Sequence, residues 1–152
     1  MNKIIDKTLD FLAIISLIII TIVTFAQVVS RYVFNFPIPW AMDIIRLSFV
    51  YLIFLGTAIG VREKGHLNID VLINLLPIKN KIINILIDIV TLAFISFLSY
   101  QGFVWINASM AQGTPYLGID MDYMYFAIPF TGIFMIYYLI KQISRELAEL
   151  KK

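Results

Sequence analysis

Residues 37–70 read PIPWAMDIIRLSFVYLIFLGTAIGVREKGHLNID. Pro37, Pro39 and Trp40 open the stretch, Asp43 and Arg46 follow within two turns, and Arg62, Glu63, Lys64 and His66 close it. The apolar run between these ends is about 20 residues long, which at ~1.5 Å per residue matches a hydrocarbon core of roughly 30 Å. Pro39 suits a first helical position, where a missing N–H leaves nothing unsatisfied. Trp40 suits the lipid–water boundary, and the cationic end suits the cytoplasmic side. The stretch reads as one complete membrane crossing with both ends marked.

Composition extends this reading to the whole chain. Of 152 residues, 61% are hydrophobic and 14% are charged. A soluble domain is nearer a quarter charged and could not hide so much apolar surface. An all-α integral membrane protein forming a single domain over residues 1–152 is expected. The net charge of +2 speaks against nucleic acid as a partner. With no cysteine in the chain, disulfides, thiolate chemistry and iron–sulfur ligation are excluded. His66 is the single histidine, which rules out bis-histidine haem ligation within the chain and weakens a reading as a respiratory membrane anchor. The sequence holds no nucleophile–base pair, metal cluster or phosphate loop. No enzyme activity and no cofactor are expected of it.

In chain order, a polar lead with Lys3 and Lys7 precedes a charge-free first transmembrane helix, residues 11–30. A cleaved signal peptide competes for this stretch, but the run exceeds the usual 7–15-residue apolar region of such signals. Ser16, Thr24, Gln27 and Arg31 fall along one face. That stripe should meet protein rather than lipid, unless the Ser16 and Thr24 hydroxyls bond back to their own helix. The second helix, residues 39–61, carries Gly56-x-x-x-Gly60, a small-residue pair that admits a close helix. Asp43 and Arg46, three apart, share a face and are expected to pair, with Arg46 reaching toward the interface. Beyond them, His66 and Asp70 are placed to pair on one helical turn. Apolar residues at 67, 71, 72, 75 and 76 suggest a short amphipathic helix, residues 67–76, along the cytoplasmic surface, stopped by Pro77.

The third helix, residues 81–105, shows a stripe of Lys81, Asn84, Asp88, Thr91, Ile95, Ser99 and Gly102 at alternating steps of three and four. Continuing it through the charge-free run to residue 119 would overshoot the bilayer. Residues 107–122, with Gly113, Pro115 and Gly118, are therefore read as an ordered outer loop. The fourth helix covers residues 123–141, and Pro129 is expected to kink it. A charged tail follows. Ten of the 12 Lys and Arg residues lie in the N-terminal lead, the 62–81 segment and the tail, leaving Arg31 and Arg46 opposite. That asymmetry places both termini and the central segment in the cytoplasm. Asp88 is the best candidate for an ion carrier in a self-sufficient small transporter, since intramembrane acids mark such pathways. Its competing role is an ion pair or a helix–helix hydrogen bond near the cytoplasmic boundary.

Several of these residues together resemble a known family. Arg31-Tyr32, Pro39-Trp40-x-x-Asp43-x-x-Arg46, Phe54-Leu55-Gly56, Gly65-His66-x-x-x-Asp70, Thr114-Pro115-x-Leu117-Gly118 and Ala127-Ile128-Pro129 occur in an order and spacing similar to the DctQ-like small membrane subunit of tripartite ATP-independent periplasmic (TRAP) transporters. Ala41, Met42 and Asp120 depart from the usual pattern. The resemblance implies four transmembrane helices in a bacterial inner membrane, tied to a large DctM-like elevator subunit that holds the sodium and substrate sites. It also implies a periplasmic binding protein delivering an organic acid, of the sialic acid or C4-dicarboxylate class. On this reading Gln27, Arg31, Asp43, Arg46, Gly56, Gly60 and Asp88 are candidates for the large-subunit interface. Tyr116, Asp120 and Asp122 are candidates for docking the binding protein, and His66 with Asp70 form a cytoplasmic motif.

Overall fold

The structure is a computed structural model that describes residues 3–63, 81–109 and 112–150. It holds four long helices: α1 Lys3–Tyr32, α2 Ala41–Arg62, α3 Lys81–Ala108 and α4 Asp122–Leu150. Each is long and apolar enough to cross a membrane. His66, Asp70 and the surface helix expected over residues 67–76 lie outside the described residues.

The helices form a row rather than a closed bundle. Among the described residues α1 packs on α2, α2 on α4 and α4 on α3, and no other pair of backbones packs closely. Neighbouring contacts give the directions. Arg62 at the end of α2 meets Asp10 near the start of α1, and Gln142 late in α4 meets Asp88 early in α3. Tyr51 in the middle of α2 bonds the carbonyl of Tyr123 at the start of α4, and Ala58 and Val61 nearer the end of α2 cluster with Met135 and Leu139 further along α4, so α2 and α4 run parallel. Both chain ends therefore lie at one end of the row, and the outer loop lies at the other.

The polar lead is part of α1, not a prelude to it. Asp6 and Asp10 find partners there: the Tyr138 hydroxyl donates to Asp6 at 2.6 Å and the Arg62 guanidinium to Asp10 at 2.8 Å. Arg62 also bonds the Asp6 carbonyl at 3.1 Å and Glu63 at 3.0 Å. At the other end, α2 starts two residues later than expected. Pro39 and Trp40 form a tight opening turn, in which the Met42 N–H donates to the Pro39 carbonyl and the Asp43 N–H to the Trp40 carbonyl. Trp40 offers no side-chain acceptor, so backbone bonds of this tighter kind satisfy the first donors.

Two apolar clusters join the row. Leu9, Ala13 and Leu55 tie α1 to α2, with Phe130 and Phe134 of α4 against them. Ala58, Val61, Ile95, Met135 and Leu139 tie α2 to α4 and α3. The α3 stripe faces α4: Asp88, Ile95, Ser99 and Gly102 are buried, Asn84 and Thr91 half-buried. Small residues set this seam. A Cβ on Gly102 would lie 2.8 Å from the Pro129 ring, and one on Gly132 would collide with the Ser99 hydroxyl. Pro129 sits inside α4, where proline withholds one backbone donor and its ring needs space. Gly102 supplies that space from the neighbouring helix.

Candidate functional site

The outer loop is built around one carboxylate. Thr114, Pro115, Tyr116, Leu117 and Gly118 make a single turn, closed by the Gly118 N–H on the Thr114 carbonyl at 3.1 Å. Gly118 has φ +62°, a left-handed value that glycine adopts without cost. Pro115 has no N–H, so the free donors at the head of this turn are those of Tyr116 and Leu117. Both point at Oδ2 of Asp43, at 3.0 and 2.9 Å, and the Thr114 hydroxyl reaches the same carboxylate. Asp43 thus caps, from α2, a turn 73 residues away in sequence. An antiparallel bridge between Gly113 and Asp120 holds the rest of the loop, with the Thr114 N–H on the Ile119 carbonyl at 2.8 Å.

This geometry corrects the expected Asp43–Arg46 pair. Asp43 is 2% exposed and turns inward to the loop, while Arg46 is exposed. No ion pair joins them among the described residues. Two oriented amide donors plus a hydroxyl outcompete one long, mobile guanidinium. Asp43 therefore presents no surface to a partner. Asp88 takes the second of the two roles expected of it: it is 2% exposed and its Oδ2 accepts from the Gln142 amide at 2.8 Å. Its role in the fold is the helix–helix hydrogen bond, between α3 and α4.

The remaining candidates divide by exposure. Arg46 and Gly56 are exposed on α2 and Gly60 is half-exposed, and nothing among the described residues lies within 4 Å of a Cβ built on either glycine. With Phe49 and Ile53 they make one bare face of α2. On α1, Gln27 is half-buried and Arg31 is exposed, its guanidinium 5.9 Å from the Tyr32 ring. In the loop, Tyr116 and Asp120 are exposed and Asp122 is half-buried, accepting a hydrogen bond from Ser109. The Asp6–Tyr138 and Asp10–Arg62 contacts escaped the reading of the sequence. Their one signal was a pair of acids four apart in the lead and a cation closing the second helix.

Comparison with known proteins places this architecture. The family model of tripartite ATP-independent periplasmic transporters, DctQ component, matches residues 20–149. The chain belongs to the DctQ family. A protein of Haemophilus influenzae (strain Rd) described as a TRAP transporter small permease protein is 30% identical over 132 residues, covering 86% of this chain and 80% of its own. The sialic acid TRAP transporter small permease protein SiaQ of Vibrio cholerae is 25% identical over 144 residues, 94% of this chain and 83% of SiaQ. The sialic acid TRAP transporter permease protein SiaT of H. influenzae (strain 86-028NP) is 30% identical over 140 residues. That match takes in 91% of this chain but only 23% of SiaT. The DctQ match makes this chain a multi-pass transporter subunit and not an enzyme.

Proposed function

We propose that this chain scaffolds a large permease subunit in a bacterial inner membrane and helps a periplasmic binding protein dock, in a sodium-coupled importer of an organic acid. The observation that carries the reading is the bare α2 face of Arg46, Gly56 and Gly60, an arginine and two small residues that the described helices leave uncovered. The match to a quarter-length segment of the longer permease SiaT supports a partner of that kind. Relatives named for sialic acid and for C4-dicarboxylate support the organic-acid class. Ten of 12 basic residues on the termini side support a cytoplasmic location for both ends. The exposed Tyr116 and Asp120 then face the periplasm, where a soluble donor arrives.

Reconstitution tests the proposal. Liposomes holding this chain with the neighbouring large permease, supplied with its binding protein and a sodium gradient, should accumulate labelled sialic acid or a C4-dicarboxylate. Omitting this chain should abolish uptake. Uptake by this chain alone would overturn the reading in favour of a self-sufficient transporter, and reporter fusions placing the C-terminus outside would overturn the orientation.

A further inference from the structure

Ser48 breaks a pattern among the inward-facing hydroxyls. Ser16, Thr91, Ser99 and Thr131 each donate to the carbonyl four residues back, at 2.9, 2.8, 2.8 and 2.7 Å. Such back-bonding satisfies a hydroxyl locally. Ser48 is 9% exposed and has no hydrogen-bond partner among the described residues. It lines a cavity of about 400 Å³ between α1, α2 and the head of α4, together with Ser16, Ile19, Leu47, Tyr51, Ile119 and Tyr123. The Tyr51 hydroxyl is engaged on the Tyr123 carbonyl at 2.9 Å, and that of Ser16 on Leu12. Among the described lining residues the hydroxyls of Ser48 and of the more exposed Tyr123 are the donors left, and that of Ser48 is the buried one.

We propose that this cavity binds a membrane glycerolipid, with one acyl chain against Ile19, Leu47 and Ile119 and its ester carbonyl accepting from Ser48. The lining dictates that chemistry. Three aliphatic side chains and two aromatic rings around one buried neutral donor fit a methylene chain carrying one neutral acceptor. A phosphate is a poor match, because no lysine or arginine lines the cavity. A single water would satisfy Ser48 but occupies only about 30 Å³, a small part of the space. A plain hydrocarbon would leave the buried donor unpaired, at a cost of about 1–3 kcal/mol. The level is also right: Ile119 belongs to the outer loop and Tyr123 to the first turn of α4. The cavity therefore lies where the α4 span begins, on the headgroup side of mid-bilayer, and Tyr123, 58% exposed, is an aromatic at its rim.

A photoreactive lipid tests this directly. The full chain is placed in nanodiscs of phosphatidylethanolamine and phosphatidylglycerol containing a trace of phosphatidylethanolamine with a diazirine near the carboxyl end of one acyl chain. After irradiation, adducts are mapped by mass spectrometry. Adducts should concentrate on Ile19, Leu47 and Ile119 over Ile133 and Phe97, which are exposed elsewhere at 61% and 57%. Ser48→Ala should lower the cavity adducts about two- to ten-fold, the range of one net hydrogen bond. Ser48→Leu, which fills the site, should lower them at least as far, and the controls should not change in either variant. Equal labelling of cavity and control residues in the unaltered chain overturns the proposal, whether or not the variants fold. Cavity labelling that survives both substitutions overturns it too. So does loss of that labelling when the large permease is co-purified, which would give the cavity to a protein partner.

Discussion

Two glycine pairs in this chain do opposite things. Gly102 and Gly132 lie in the α3–α4 seam, where an added Cβ would strike Pro129 or Ser99. Gly56 and Gly60 lie on α2 in a spacing that favours helix pairing, yet a Cβ on either would meet nothing among the described residues. The pair with the recognisable motif is bare, and the pair without one is closed. Internal packing needs a small residue only where one bulky neighbour intrudes, and such sites need not repeat at a fixed interval. A regular four-residue spacing instead smooths a whole strip of helix, which suits a partner lying alongside it.

Substitution should separate the two pairs sharply. The largest effect is expected at Gly132: Gly132→Val forces Ser99 and α3 away, an overpacking that costs about 1–3 kcal/mol or more, read as a lower Tm of the detergent-solubilised chain. Ser99→Gly in the same chain should return part of that loss for Gly132→Ala, because it removes the hydroxyl that the new methyl strikes. Next comes Asp43→Ala, which leaves the Tyr116 and Leu117 amides without their charged acceptor at about 1.5–3 kcal/mol. Hydrogen exchange at those two amides should accelerate while α4 stays protected, and Arg46→Leu should leave their exchange unchanged. Gln142→Ala, which takes one donor from the buried Asp88, should cost about 1–3 kcal/mol by the same measurement of Tm. The smallest effect on the isolated chain is expected for Gly56→Leu with Gly60→Leu, within about 0.5 kcal/mol of the parent. The same double substitution should abolish co-purification with the large permease. If it lowers Tm as far as Gly132→Val does, the contrast between the two pairs fails.

The sequence carried the helices more clearly than their partners. The stripe from Asn84 to Gly102 was legible because its three-and-four spacing is set by the helix itself, and it is buried or half-buried throughout, with Asp88, Ser99 and Gly102 against α4. The ordered outer loop was legible in Gly113, Pro115 and Gly118. The acceptor for that loop was not, because spacing along α2 favours Arg46 as the neighbour of Asp43, whereas the true donors come from 73 and 74 residues on. Local rules rank nearby partners, and a prearranged pair of amides outranks them only once the tertiary fold brings it there. The same holds for Asp6 and Tyr138, 132 residues apart. Gly132 carried no pattern to read, since its reason is the one hydroxyl opposite it.

The order of the row, α1–α2–α4–α3, bears on how the chain is made. Each of the two hairpins, α1 with α2 and α3 with α4, is a closed contact of chain-adjacent helices. The seam between them is α2 against α4, held by Ala58, Val61, Met135 and Leu139 and by the Tyr51–Tyr123 bond. A ribosome releases α1 and α2 into the bilayer before α4 exists, so the first hairpin must stand alone in lipid and wait. The second hairpin then docks sideways onto it, as one membrane-embedded half meeting another. The turn that Asp43 grips is translated 73 and 74 residues after it, and Tyr138, which meets Asp6 of the first helix, comes later still. Asp6 and Asp43, both in the first half of the chain, thus each wait for a partner that only the second half supplies.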